Sequence, residues 1–230
     1  MSAYALDIQI GDEGLRTISR AKMSVALLEH QRDLDYQIVA LMTPATNHLQ
    51  ISWTDAHLVY SSAYAVEAYT VLRINSQSTA LSGRTFDFDG SALKQHGTSG
   101  LPGAVQFTNS SRNMITAGLA RTFKVNGSEA APTILSAVPV LPNGLGTLQF
   151  GMEIMLTLLS GTRVGMVIPS QAIPGYSTTT RLPQSAHQIA AQPPLVLNFS
   201  AGSATQTVHF DTANNVFVTG SLSLTGAISQ

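Results

Sequence analysis

The chain has 230 residues, a length that suits one large all-β domain or two small ones with a proper hydrophobic core. It contains no cysteine, which excludes disulfides and thiolate metal sites. Charged residues make up 11% of the chain and the formal net charge is -1. Little electrostatic repulsion therefore keeps copies apart, and we expect a homo-oligomer. The 12 Lys and Arg residues are scattered singly, which argues against a nucleic-acid partner.

The first residues, MSAYALDIQIGDEG, lack the basic and apolar regions of a signal peptide. No apolar run reaches the roughly 18 residues that cross a bilayer as a helix. We therefore expect a protein that is made in soluble form without a leader. The sequons at Asn109, Asn126 and Asn198 would matter only in a secretory pathway.

Period-two alternation of apolar and polar residues, punctuated by turn residues, predicts many short strands. Leu6 and Ile8 lie on one face of the first predicted strand. Residues 12–20 are predicted to form the one helix, with Asp12 as its N-cap. The other predicted strands are 22–30, 36–42, 49–53, 57–61, 63–74, 104–108, 114–125, 133–138, 147–160, 163–168, 195–200, 205–210 and 215–219. This spacing favours an all-β fold, either a large antiparallel β-sandwich or two packed sandwich halves.

The Gly-rich segment 90–103, GSALKQHGTSGLPG, predicts a long loop and the best boundary within the chain. It divides the chain into a first half, residues 1–95 with the helix 12–20, and a second half, residues 104–230. One continuous domain is the alternative.

The segment 174–194, PGYSTTTRLPQSAHQIAAQPP, contains four prolines and no convincing period. It is either a meandering surface loop or an arm that lies on a neighbouring subunit. As an arm, it would use Tyr176, Arg181, Leu182 and Ile189 for membrane or assembly contacts.

The apolar segment 151–169 predicts a hairpin that turns at Ser160 and Gly161. Each arm is near the length of a membrane-spanning strand, and soluble toxins that insert hairpins into membranes carry patterns of this kind. The alternative is a central hairpin that is simply buried in the sandwich.

No metal site or catalytic motif stands out. Asp87, Asp89 and Gly90 resemble the start of a calcium loop, but Thr98 stands where the loop needs a glutamate, so a strand ending in an Asp-Gly turn is favoured. The six histidines never pair at zinc-ligand spacing, and no G-x-S-x-G elbow or phosphate loop occurs. We predict no metal, no cofactor and no enzyme, although a hydrolase site assembled from distant residues stays open.

The segment 49–62, LQISWTDAHLVYSS, contains the single tryptophan, followed by a carboxylate, a histidine and a tyrosine. Leu49, Ile51 and Trp53 share one face of a strand, which predicts a core position for the tryptophan. Asp55 lies in the following turn, where we expect it to bond its local backbone. The segment is thus a strand, a turn and the next strand.

Four residues in and after this segment are candidates for ligand contact. Tyr60 and Tyr69 alternate with smaller polar groups, which favours positions at the surface, and Tyr64 and His57 lie near them in sequence. Aromatic faces stack on the C–H groups of sugars, while neighbouring amides, hydroxyls and carboxylates bond the sugar hydroxyls. The set therefore predicts a glycan-binding patch if its members are exposed.

The composition and strand pattern, poor in charge, free of cysteine and rich in Ser, Thr and Gly, resemble those of microbial and fungal lectins and cytolysins with β-sandwich folds. The resemblance covers most of the chain and includes no specific motif. It implies a non-catalytic oligomeric binding protein that recognises glycans or membrane surfaces, as a defence or toxin module. The alternative is a structural subunit that assembles into a shell, tube or filament.

Overall fold

The computed structural model describes residues 2–29, 34–151, 153–174, 192–200 and 202–222. Within these residues the chain forms one α-helix, α1 (Asp12–Arg20), one short 3-10 helix (Ser170–Ala172) and twenty strands. The all-β architecture predicted from the sequence is confirmed.

The strands are numbered along the chain. The first ten are β1 (Ala3–Gln9), β2 (Ser24–Glu29), β3 (Tyr36–Thr43), β4 (His48–Thr54), β5 (His57–Ser62), β6 (Ser76–Ala80), β7 (Arg84–Phe88), β8 (Leu93–Thr98), β9 (Ala104–Asn109) and β10 (Ile115–Arg121). The second ten are β11 (Phe123–Val125), β12 (Ser128–Glu129), β13 (Thr133–Ile134), β14 (Val138–Val140), β15 (Leu145–Gln149), β16 (Glu153–Leu159), β17 (Val167–Pro169), β18 (Leu195–Asn198), β19 (Thr205–Asp211) and β20 (Val216–Thr219).

A first sandwich consists of a six-stranded sheet, in the order β12-β11-β4-β1-β19-β20, and a five-stranded sheet, in the order β17-β3-β2-β16-β18. Alternate residues of β1 and β4 point into the core, where Leu6 and Ile51 are completely buried. Trp53 lies on the same face as Ile51 and packs against the ring of Phe199, with ring centroids 4.7 Å apart. The predicted core position of the tryptophan is therefore confirmed.

A second sandwich consists of a sheet in the order β13-β10-β5-β6, with β14 also paired to β10, and a sheet in the order β15-β9-β7-β8. Val59 and Leu119 from the first of these sheets pack against Phe86 and Phe107 from the second. Most neighbouring strands in the protein are antiparallel, but β1 pairs with β19 and β7 pairs with β9 in parallel.

The two sandwiches share a further core. Tyr60 and Ala120, on the outer face of β5 and β10, pack in one cluster with Ile38 and Val167 of the first sandwich. Because this cluster is buried, the two sandwiches are joined by apolar contact as well as by the chain.

The chain does not divide into two sandwiches at residues 95–104. Strands β5 to β10 and β13 to β15 form the second sandwich and lie in sequence between β4 and β16, while β11 and β12 return to the first. Each of the four sheets therefore contains strands from both sides of the predicted boundary. Two packed sandwiches exist, but one is inserted into the other.

The predicted strands 114–125, 133–138 and 147–160 are each divided between two strands, and three further predicted elements differ in the structure. Residues 63–74 form turns with a single bridge from Val71 to Met166, because their apolar side chains cover the shared core without pairing as a strand. The predicted loop 90–103 contains β8, which pairs with β7. The predicted hairpin 151–169 is absent, since β16 pairs with β2 and β18 whereas β17 pairs with β3.

Helix α1 has the predicted bounds, but its N-cap is Gly11 and Asp12 is its first residue. There the carboxylate lies at the positive end of the helix dipole. Ile18, on the apolar face of the helix, is buried in the core of the first sandwich.

The close contact of β5 and β10 permits no side chain at Gly118. A Cβ atom there would lie 1.9 Å from the carbonyl oxygen of Ser136 and 2.6 Å from a ring carbon of Tyr60. We expect Gly118→Ala to lower the free energy of unfolding by about 3 kcal/mol or more, because the backbone must shift to accept the methyl group.

The matched control is Gly97→Ala in β8, where no atom lies within 4 Å of an added Cβ. This substitution should change the free energy of unfolding by less than about 0.5 kcal/mol. Urea denaturation of both variants measures the difference, and equal stabilities would contradict the packing described for Gly118.

Candidate functional site

Four loops meet at one end of the second sandwich. They join β5 to β6, β7 to β8, β9 to β10 and β14 to β15, and the strand pairing places all four at the same end. We call this end, formed by residues 62–76, 88–93, 109–115 and 140–145, the cleft end.

An open cleft of about 510 Å³ lies between the two sheets at the cleft end, within the size range of small-molecule sites. Hydroxyl groups, carboxamides and a few apolar side chains line it, and none of the lining residues is charged. We call it the polar cleft; it is lined by Ser61, Ser62, Ala63, Asn75, Ser76, Phe88, Gly90, Ser91, Ser111, Asn113, Met114 and Ile115.

Ser61 forms the buried part of the polar cleft. It lies two residues beyond Val59 in β5, so its side chain shares the face of β5 that looks into the space between the sheets. The side chain is 1% exposed, and its Oγ atom has no hydrogen-bond partner in the described part of the chain. A buried hydroxyl without a partner costs about 1 to 3 kcal/mol, a cost that a ligand able to bond it would remove.

Some of the other polar side chains of the cleft already form hydrogen bonds within the protein, and some do not. The Asn75 Oδ1 atom accepts the backbone N–H of Ala63 at 2.8 Å, and the Ser76 Oγ atom accepts the backbone N–H of Leu93 at 3.1 Å. The exposed carboxamide of Asn113 takes part in no hydrogen bond within the described residues. Ser61 and Asn113 are therefore the polar lining side chains in which no atom is already bonded within the described residues.

Asn109 holds the loops of the cleft end in place. It is completely buried at the end of β9, and its Nδ2 atom donates to the carbonyl oxygens of Asn113 at 2.8 Å, Val140 at 3.0 Å and Leu141 at 3.2 Å. Its Oδ1 atom accepts the backbone N–H and the hydroxyl of Ser111. One side chain thus ties the 109–115 and 140–145 loops together, and its burial keeps this sequon asparagine away from modification.

Asp89 forms the turn that was preferred over a calcium loop. Its Oδ1 atom accepts from the backbone N–H groups of Ser91 and Ala92, and its Oδ2 atom lies 2.7 Å from Lys94 Nζ. The hydrogen bond from Lys94, together with those from Ser91 and Ala92, holds the pKa of Asp89 below its usual range. The predicted turn after β7 is confirmed, and its carboxylate already has partners.

Two of the four predicted ligand-contact residues lie inside the protein. Tyr60 is completely buried in the shared core and donates its hydroxyl hydrogen bond to the Ser136 carbonyl oxygen at 2.9 Å. His57 is 5% exposed. The surface position predicted for Tyr60 is wrong, and the exposure on which a ligand role for His57 depends is absent. The reason is that β5 is covered on both faces, by one sheet of its own sandwich and by the shared core.

The other two predicted residues, Tyr64 and Tyr69, are exposed and lie in the loop between β5 and β6. Tyr64 follows the cleft residue Ala63 and is 41% exposed, with the guanidinium carbon of Arg73 5.9 Å from its ring centroid. Tyr69 is 47% exposed and has a backbone φ of 63°, with its N–H bonded to the Val167 carbonyl oxygen in the first sandwich. Their binding roles stay predictions, and only Tyr64 is adjacent in sequence to a residue that lines the cleft.

The 174–194 segment was predicted to supply membrane or assembly contacts. Tyr176, Arg181, Leu182 and Ile189 lie outside the described residues. The homo-oligomer and the assembly role of this segment stay predictions.

Sequence reasoning missed the cleft residues. Ser61 and Asn113 belong to short polar runs, SSAY and NSSRN, which look like ordinary turns. The signal available in the sequence was their position at strand ends, where loops from several strands gather.

A second group of polar residues is buried between the sandwiches. Arg121, at the end of β10, is 3% exposed, and its Nη2 atom lies within hydrogen-bond distance of His57 Nε2. The guanidinium carbon also lies 6.0 Å from the Trp53 ring centroid, a cation–π distance. His57 Nδ1 is 2.9 Å from the Asp55 carbonyl oxygen, which only accepts, so Nδ1 carries the proton and Nε2 accepts from Arg121.

Glu29 completes this buried cluster. It is 3% exposed at the end of β2 and shares with Arg121 a small cavity with room for about one water molecule. Gly151 approaches so closely that a Cβ there would lie 1.9 Å from Oε1, and a hydrogen bond from its backbone favours the charged carboxylate. Burial raises the pKa of Glu29 to about 7, although the positive charge of Arg121 acts to lower it.

The same burial, followed by the positive charge of Arg121, lowers the pKa of His57 to about 4. His57 is therefore neutral at physiological pH, as its tautomer requires. Asp55, which was expected to bond its local backbone, accepts the backbone N–H of Ser2 at 2.9 Å with its Oδ2 atom, and a further hydrogen bond comes from its own backbone.

No family model, curated protein or solved structure compared with this chain matches it. Among the described residues, no helix has the length and apolar character to cross a bilayer.

Glu29 and His57 should make opposite contributions to the pH dependence of stability. A carboxyl whose pKa rises from 4.5 to about 7 on folding stabilises the protein below pH 4.5, and this contribution is lost as the pH rises through 7. We expect the stability of the protein relative to Glu29→Gln to fall by about 3 kcal/mol between pH 4.5 and 7.5. Urea denaturation of both proteins across this range measures it.

For His57 the sign is reversed, because its pKa falls from 6.5 to about 4 on folding and the unfolded chain binds the extra proton. The stability of the protein relative to His57→Gln should rise by about 3 kcal/mol from pH 4 to pH 6.5. Stability curves that run parallel for the protein and both variants would contradict the two shifts.

Proposed function

We propose that this protein is a non-catalytic binding protein that recognises a neutral glycan in the polar cleft. The observation that carries the proposal is the Ser61 hydroxyl, buried within a neutral polar cleft and without a hydrogen-bond partner in the described residues. A sugar hydroxyl both donates and accepts, so it matches a serine hydroxyl whichever way that hydroxyl is turned.

The lining of the cleft supports a sugar as the ligand class. Ser61 and Asn113 supply polar groups, while Phe88, Met114 and Ile115 supply the apolar surface on which the C–H face of a sugar ring packs. The uncharged lining favours a neutral ligand over a phosphate or a carboxylate, which would need a cation or a cluster of N–H groups.

The same lining supports binding over hydrolysis. Glycoside hydrolysis commonly needs two carboxyl groups beside the bond that is broken. No Asp, Glu or His is among the lining residues, and the nearby Asp89 carboxylate is engaged by Ser91, Ala92 and Lys94. Self-association, predicted from the composition, would give such a protein several cleft ends and thus higher avidity for a glycan-bearing surface.

Ser61→Ala separates a binding role from a structural one. We expect the variant to be as stable as the protein or more stable by up to about 1 kcal/mol, since it removes a buried hydroxyl that lacks a partner. Its affinity for the glycan should fall about tenfold, the equivalent of one lost hydrogen bond. A neutral glycan array identifies the ligand, and calorimetric titration with that ligand measures the affinities.

Ser78→Ala is the matched control, because Ser78 lies in β6 of the same sheet and does not line the cleft. It should bind as the unchanged protein does. The proposal fails if no neutral glycan is bound, or if Ser61→Ala and Asn113→Ala both bind with unchanged affinity.

A further inference from the structure

Apolar side chains project into solvent around the polar cleft. Met114 is 51% exposed, Leu141 65% and Leu145 62%, and Tyr64 of the same end is 41% exposed. These four are among nine exposed large apolar side chains in the described residues. Ile115 pairs with Val140 at the end of the antiparallel β10–β14 ladder. Met114 and Leu141 are the next residue on each strand, so both lie just beyond this pair at the cleft end. Apolar side chains grouped in this way mark an interaction site.

The loops that carry these side chains are held in shape. Asn109 bonds the carbonyl oxygens of Asn113 and Leu141, which adjoin or belong to the exposed residues. The backbone N–H of Asn143 donates to the Asn109 carbonyl oxygen at 2.7 Å, and that of Gly144 donates to the Leu141 carbonyl oxygen at 2.8 Å. The turns therefore present their apolar side chains outward, because these hydrogen bonds would have to break for the loops to fold back.

The charges of these loops cancel. The loops between the strands at the cleft end carry two acidic residues, Glu67 and Asp89, and two basic residues, Arg73 and Arg112, which leaves no net charge. A surface of this kind lacks the excess of Lys and Arg that attracts anionic lipid headgroups. The partner that fits it is electrically neutral.

We infer that the cleft end docks on a neutral lipid bilayer, with Met114, Leu141 and Leu145 entering the interfacial region and the polar cleft taking the sugar of a neutral glycolipid. The inference rests on the proposed function, because it names the surface on which that glycan is presented. Met114 stands on the β9–β10 loop, and Leu141 and Leu145 stand at the two sides of the β14–β15 loop, beside an open cleft. A fluid bilayer accepts each of these side chains independently. A protein partner would need one continuous complementary surface.

The test compares three proteins on phosphatidylcholine vesicles alone, with glucosyl-, galactosyl- or lactosylceramide, and with phosphatidylserine in place of the glycolipid. The first is the unchanged protein and the second is the double variant Leu141→Ser, Leu145→Ser, which changes two exposed side chains that do not line the cleft. The third, the matched control, is Leu81→Ser, Leu101→Ser, which removes two exposed leucines from the opposite end of the same sandwich. Vesicle flotation measures bilayer binding, and titration with soluble glycan measures the cleft by itself.

We expect the unchanged protein and the control to float with the glycolipid vesicles, and the double variant to bind them at least tenfold more weakly while it binds soluble glycan unchanged. The inference is overturned if the double variant floats as the unchanged protein does, or if binding requires phosphatidylserine. It is also overturned if the double change abolishes self-association, measured by light scattering, without any vesicle binding by the unchanged protein, since the surface is then an interface between copies. Binding of soluble glycan without vesicle binding overturns this inference and leaves the proposed function standing, whereas the absence of both defeats the proposed function.

Discussion

The guanidinium of Arg121 is the constraint around which the two sandwiches are organised. A buried cation is tolerated only when neighbouring groups replace the water it has lost. Here that role falls to the Nε2 atom of a neutral His57, to the face of Trp53 and to the nearby carboxyl of Glu29. These residues come from four strands of both sandwiches, so satisfying one side chain requires the strands to meet in one arrangement.

The pKa shifts in this cluster follow from that arrangement. Arg121 places a positive charge next to His57, which adds to the effect of burial and keeps the ring neutral, and next to Glu29, where it opposes the effect of burial. The cluster is enclosed and sits away from the polar cleft, and its lining cavity has room for about one water molecule. It therefore belongs to the joint between the sandwiches, whereas the polar cleft opens to solvent at the cleft end.

The cleft end shows how a fold with few charges builds the surface for which we propose a binding role. Both polar atoms of the Asn109 carboxamide are hydrogen-bonded to the loops, whereas the Ser61 hydroxyl has no partner in the described residues. The bonds of Asn109 stabilise the loops, whereas the unbonded hydroxyl of Ser61 makes folding less favourable. This combination is typical of sites in which some stability is given up for function. The uncharged lining of the cleft agrees with the low content of charged residues, 11%, in the whole chain.

The sequence by itself determined the strands with clear alternation, the bounds of α1 and the core position of Trp53, because these depend on the side-chain period of a few consecutive residues. Residues 63–74 misled because their apolar side chains cover a core that only the packing of two sandwiches creates. The burial of Tyr60 and His57 was not predicted for a related reason. Alternation shows which residues share a face of β5, but it does not show that both faces are covered. Only the tertiary structure decided that one sandwich is inserted into the other and that Ser61, Asn75, Ser91 and Asn113 line one cleft, because contacts between residues far apart in the chain depend on strand pairing, which no local pattern encodes.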